Sequence, residues 1–138
     1  MNSPQQAIFS ALYKEISEIY PCYKDNLPPE GTEYPFDYQY PFVYLGGTTL
    51  TPSFSTKYHP LGNVSCNIDV WHDNPQKRGT VSEMLYQIEK ICYELNVVGY
   101  KISVREIVEN IRNDDSSATP LLRGSVAVTF DLQGGKHD

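Results

Sequence analysis

Apolar residues recur along this chain in two rhythms. Ala7, Ile8, Ala11, Leu12, Ile16 and Ile19 fall three and four apart, the spacing of one helix face. They follow Ser3-Pro4-Gln5-Gln6, which places a hydroxyl at the N-cap, proline at the first helical position and glutamine at the third. A helix is therefore predicted over 4–19, closed by Pro21, with Glu15 and Glu18 on its wet side. Val81, Met84, Leu85, Ile88, Ile91, Cys92 and Leu95 repeat the helical rhythm behind a second capping box, Thr80-Val81-Ser82-Glu83. This predicts a helix over 80–95 with Asn96 as its C-cap.

The other rhythm has period two. Val64, Cys66, Ile68 and Val70 alternate with Ser65, Asn67, Asp69 and Trp71, and Leu122, Gly124, Val126, Val128, Phe130 and Leu132 alternate as cleanly. Both are strands with one buried face. Phe42-Val43-Tyr44-Leu45 reads as a short strand stopped by Gly46-Gly47. The stretch 101–113 fits two templates. Ile102 and Val104 alternate like a strand, whereas Val104, Ile107, Val108 and Ile111 fit a helix behind a Ser103-to-Glu106 box. The density of β-branched residues, and a ready partner in 122–132, favour strand, with 113–120 as the hairpin loop.

Between these elements lie a proline- and tyrosine-rich connector at 21–41, expected to run extended and pack its rings on the domain, and a Thr/Ser/Pro/Gly loop from Thr48 to Asn63. Residues 72–79 form a polar turn and 133–138 a frayed tail. With no internal repeat, residues 1–138 are expected to form one domain of the α+β class. Two helices would pack on one face of a mainly antiparallel sheet of about four strands, Ile88 meeting Ile68 in the core. The other sheet face would be wet or meet a partner.

Composition narrows the function. Seventeen acidic residues against eleven basic give a net charge of −6 and a pI near 5.0, unlike a protein held to nucleic acid by clustered Lys and Arg. No apolar run approaches the ~20 residues of a membrane helix, and the first residues lack the pattern of a signal peptide, so a soluble, cytosolic chain is expected. Cys22, Cys66 and Cys92 are odd in number and widely spaced, which indicates neither a disulfide framework nor a zinc site. Cys66 and Cys92 read as small core hydrophobes. Asn63-Val64-Ser65 matches a glycosylation sequon, which carries no meaning without secretion.

Catalytic and cofactor chemistry finds little support. Asp69, His72 and Asp73 cluster at a strand end, but alternation sends Asp69 and Trp71 one way while His72 enters the turn, and further metal ligands are lacking. Gly46-Gly47-Thr48-Thr49 lacks the Lys-Ser/Thr ending of a phosphate loop, and no helix follows it. Glu30/Glu33 and Asp114/Asp115 occupy loops without an apolar pocket to tune a carboxyl. The expectation is a non-enzymatic protein without cofactor or metal. Trp71, the only tryptophan, lies opposite the aliphatic row, as a plug beneath the connector or as an anchor for another protein. Phe54, Tyr58, Trp71, His72, Lys77 and Arg78 are the candidate subunit or partner contacts.

Tyr40-Pro41-Phe42-Val43-Tyr44-Leu45, the Gly/Thr/Ser loop, Cys66-Asn67-Ile68-Asp69-Val70-Trp71, the capped helix and Leu121-Leu122-Arg123-Gly124-Ser125-Val126-Ala127-Val128-Thr129-Phe130 together resemble the tail-terminator, or tail-to-head joining, proteins of long-tailed bacteriophages. The resemblance implies a virion subunit that forms a ring, commonly a hexamer, on the major tail tube protein. That ring would present a surface to the head completion or connector protein, and DNA would pass through it without specific binding. It implies a place at the head-tail interface of the virion, with assembly in the host cytoplasm and no membrane partner. The acidic balance suits such a channel, since a basic lumen would hold phosphates. Under this reading the Thr48-to-Gly62 loop would gain its order from a neighbouring subunit. Another head-tail connector, or a small protein- or peptide-binding module using the tyrosine-rich segment, is the alternative.

Overall fold

A computed structural model describes residues 3–24, 40–53, 61–115 and 120–132. Two helices, α1 (Pro4–Ser17) and α2 (Arg78–Glu94), accompany five strands: β1 (Cys22–Tyr23), β2 (Phe42–Ser53), β3 (Leu61–His72), β4 (Ile102–Asp114) and β5 (Leu121–Leu132). The strands form one sheet in the order β1-β2-β3-β5-β4. Every pairing is antiparallel except β1 with β2, which is parallel and two residues long. The class is α+β, with five strands rather than four; the extra one comes from the start of the connector. The connector's residues 25–39, the segment holding Phe54 and Tyr58, and the tail 133–138 lie outside the described residues.

Both helices bury their apolar stripes against one sheet face. Ile8, Leu12 and Ile16 from α1 and Val81, Met84, Leu85, Ile88 and Cys92 from α2 join Val43, Leu45, Val64, Cys66, Ile68, Val70, Leu122, Val126, Val128 and Phe130 in one core cluster. Ile68 and Ile88 are both fully buried in it. Helix α1 lies over β1 and β2, and α2 over β5 and β4. Registered pairs such as Val64 with Phe130, Cys66 with Val128 and Ile68 with Val126 place their side chains on the helix side, as period-two alternation requires.

The two edge regions depart from simple alternation for one reason. β2 does not stop at Gly46-Gly47: its register shifts between Leu45 and Thr48, and the strand continues to Ser53. The glycine pair makes a bulge, one extra residue on β2, at which a side chain on Gly46 would come within 3.0 Å of the Asn67 carbonyl oxygen. Thr48–Ser53 and Leu61–Asn63, expected as loop, are therefore paired strand, a role that suits threonine. Gly62 sits in that ladder with φ +155°, where a Cβ would strike the Thr51 carbonyl oxygen. β4 is a strand over 102–114 and likewise carries a bulge, between Val104 and Glu106. The inserted Arg105 puts Val104, Ile107 and Ile111 on one face at helical spacing, which is why the sequence fits both templates.

The helix ends also differ from expectation. Ser3 Oγ accepts the Gln6 N–H at 3.1 Å, but the Gln6 side chain donates to Ser10 instead of closing the box, and α1 ends at Ser17 rather than 19. Helix α2 begins at Arg78, two residues before the expected Thr80, and its N-cap, Lys77, gives no side-chain cap. The Asn74 side chain takes the Gln76 N–H, the Asn74 carbonyl takes the Lys77 N–H, and this turn feeds straight into the helix. Glu83, the proposed box partner, instead accepts from Gln87. The C-cap is Leu95, not Asn96. Among the described residues no helix is long and apolar enough to cross a membrane.

Candidate functional site

The sheet face away from the helices carries the side chains left over by the core. Registered rows run across it: Phe42, Trp71, Arg123, Arg112; then Tyr44, Asp69, Ser125, Asn110; then, past the bulges, Thr49, Ser65, Thr129, Glu106 and Thr51, Asn63, Asp131, Ser103. One end is aromatic and cationic. The rest is mostly polar, apart from Tyr44 and the paired Ala127 and exposed Val108, with the Ser65 and Thr129 hydroxyls 3.2 Å apart and Asp131 3.6 Å from Arg105.

At the aromatic end, Phe42 is buried although it faces away from the helices. Tyr23 from β1 meets it edge-on at 5.2 Å between centroids, and Tyr40 lies tilted at the same separation. The chain enters β2 through a cis Tyr40–Pro41 peptide. Burial, with Asp73 nearby, raises the Tyr40 phenol above its ordinary pKa. Trp71 carries the Arg123 guanidinium 5.1 Å above its ring, a cation–π arrangement. Arg123 Nη2 donates to Asp69 Oδ2 at 3.1 Å and Ser125 Oγ donates to Asp69 Oδ1 at 3.0 Å, so both carboxylate oxygens are engaged. Trp71 Nε1 and Arg123 Nε are covered, and neither has an acceptor among the described residues. Trp71 thus joins an aromatic–arginine corner, to which both described ends of the connector contribute, Tyr23 and Tyr40 each packing on the neighbouring Phe42.

The other candidate residues are not gathered there. His72 points to the opposite face, registered with Leu122. It is not a freely solvated turn residue: its side chain is 12% exposed, and Nδ1 accepts the Asn74 N–H at 3.1 Å. With Nδ1 so used, Asp73 Oδ1 at 3.3 Å receives no proton from a neutral ring. Lys77 and Arg78 are exposed at the N-terminus of α2, where their charge opposes the helix dipole. No group of three or more His, Cys, Asp or Glu able to hold a metal occurs among the described residues. Cys66 and Cys92 are buried, and burial pushes each thiol up to about 12.

Sequence reasoning missed Tyr23, Phe42 and Arg123. For Phe42 the signal was present, since alternation with Val43 and Leu45 puts it opposite the core. Arg123 needed the β3–β5 register, which links positions far apart in sequence.

The sheet also ends in two unlike edges. β4 forms one, with no described strand beside it. At the other, β1 covers β2 only at Val43 and Tyr44, and no other described strand lies beside Gly46–Ser53. Gln5 of α1 reaches this edge and donates to the Thr48 carbonyl at 3.0 Å.

No protein-family model and no curated protein sequence matches this chain. Among solved structures, it is similar to a chain of the virion of a native gene transfer agent particle, with a TM-score of 0.63 and 14% sequence identity. The match covers 97% of this chain and 100% of that one. At this identity the likeness is one of fold.

Proposed function

We propose that this protein is a structural subunit of a phage-type virion, without catalytic role, that assembles head to tail into a ring closing the tail tube and joins it to the head connector. The observation that carries the proposal is the likeness of fold, end to end, to a chain of a gene transfer agent virion. The two sheet edges support it. They are different surfaces, as a heterologous interface requires. β2, β3, β5 and β4 alternate in direction, so β4 runs opposite to β2. A neighbour rotated about an axis along the strands would therefore offer its β2 antiparallel to this β4, the more favourable ladder. A hexameric ring, the tail tube protein and the head connector as partners, and a head-tail position in the particle belong to the same proposal.

Native mass spectrometry and electron microscopy of the purified protein, alone and with tail tubes, test it. Closed rings that seat on tube ends are expected. A protein that stays monomeric at high concentration and ignores tubes overturns it, and would favour a small peptide-binding module.

A further inference from the structure

A second property, independent of ring formation, follows from the corner built by Trp71, Arg123 and Arg112. Arg112 of β4 and Arg123 of β5 are registered directly opposite each other, so their side chains share the face away from the helices. Like charges at such a pair oppose the ladder. Asp69 accepts from Arg123 Nη2 and Ser125 Oγ, and among the described residues no hydrogen bond or ion pair joins it to Arg112. Asp114, two residues along the same face of β4, has an interaction of its own. Arg112 is exposed, and no carboxylate among the described residues pairs with it. Beside it, Arg123 Nε and Trp71 Nε1 are withdrawn from water without an acceptor among the described residues, which is costly for N–H groups. The corner therefore has more donors than acceptors in a protein that is acidic as a whole.

We infer that this corner binds a carboxylate carried on an extended acidic segment of a partner protein, held between the Arg112 and Arg123 guanidinium groups beside the Trp71 ring. A planar guanidinium pairs with carboxylate through parallel hydrogen bonds, and arginine and tryptophan are the side chains that dominate protein interfaces. Nucleic acid fits less well. Two arginines make no phosphate track, and farther along the face a polyphosphate would meet Glu106 and Asp131, which repel it.

Trp71 is the only tryptophan, so its emission reports on this corner. The probes are an N-acetylated hexaglutamate peptide and a short DNA duplex, added to the full chain at low salt. Hexaglutamate is expected to shift the emission saturably. Arg112→Gln is expected to weaken its binding roughly tenfold without lowering the thermal melt, because that side chain is exposed and its charge opposes that of Arg123 across the ladder. Arg112→Lys, which keeps the charge and loses the fork, is expected to fall between. The inference is overturned if hexaglutamate gives no saturable shift, if Arg112→Gln binds like the parent, or if the duplex binds more tightly than the peptide. Ring formation is scored separately by native mass, so failure of either proposal is distinguishable from failure of the other.

Discussion

Gly124 offers a sharp test of how α2 seats on the sheet. It lies on the helix side of β5, between Val70 of β3 and Ile111 of β4. A Cβ there would stand 2.7 Å from Val81 Cγ1 and 3.2 Å from both Leu85 δ carbons. Val81 is fully buried and Leu85 nearly so, and a β-branched side chain has little rotamer freedom with which to yield. Overpacking of this kind costs about 1–3 kcal/mol. Because the 2.7 Å contact is with a buried β-branched side chain, the upper part of that range applies, about 2–3 kcal/mol. Replacing glycine returns about 0.4–1 kcal/mol through the unfolded chain, so Gly124→Ala is expected to lose about 1–2.5 kcal/mol net. Val81→Ala alone should lose about 2 kcal/mol, from two buried carbons and the cavity left behind. In the double variant the new methyl enters that cavity, and its loss should fall short of the sum of the singles by about 1 kcal/mol or more. Urea denaturation followed by far-ultraviolet circular dichroism reads all four corners of the cycle. A Gly124→Ala protein as stable as the parent, or additivity within about 0.5 kcal/mol, would refute the close approach of α2 to β5.

Ile88→Ala should cost about 2–5 kcal/mol in the same assay, since Ile88 is fully buried between α2 and the sheet; a loss below about 1 kcal/mol would contradict that packing. Cys66 and Cys92, with thiols pushed up to about 12 by burial, should react with a disulfide reagent at neutral pH only as fast as the protein opens. Fast labelling of either, read by mass spectrometry, would contradict their burial. Glu109, on the helix side of β4, is raised to about 7 by burial and by its hydrogen bond and repulsion with Glu89 of α2, while Cys92 faces the same pair from α2. A folded-state pKa above the unfolded one means that stability is full below about pH 4.5 and declines as pH rises toward 7. Glu109 is largely exposed, so the change is held to less than about 1 kcal/mol by solvent. Denaturation of Glu109→Gln at several pH values should show a flatter profile than the parent, and an unchanged profile refutes the assignment.

The elements with unbroken rhythm were legible in the sequence. The α1 stripe as far as Ile16, the α2 stripe, and the alternation of Val64 to Val70 and Leu122 to Leu132 all point to the face that the structure buries, whereas Ile19, expected on the α1 stripe, lies beyond the end of the helix and is exposed. Where legibility failed, a single inserted residue was responsible. At Gly46-Gly47 the insertion looks like a terminator because glycine serves turns and bulges alike. At Arg105 it converts period two into an apparent helical spacing. The start of α2 was misplaced because backbone and asparagine hydrogen bonds in the turn replace the expected side-chain cap. The aromatic–arginine corner was half visible. Trp71 stood out by type and parity, but its neighbours come from β1, β2 and β5, and no local pattern joins Trp71 to Arg123. His72 falls on the helix side of β3, while Lys77 and Arg78 stand exposed at the start of α2, so none of the three lies on the face that carries Trp71.

The strand order bears on how the chain finds its fold. β2 with β3, and β4 with β5, are sequence neighbours joined as hairpins, each able to form early because its ends are close. The β3–β5 ladder is different: even at its nearer end, where His72 meets Leu122, it brings together residues about fifty positions apart, and α2 and β4 lie within the intervening chain. Non-local pairing of this kind slows folding more than local pairing does. The molecule is thus two hairpins sealed along one central seam, with α2 packed against β5, β4 and β3 and its Val81 and Leu85 lying directly on Gly124. Substitutions along that seam are expected to slow refolding, and changes confined to the hairpin ends mainly to hasten unfolding, as stopped-flow refolding and unfolding rates would read.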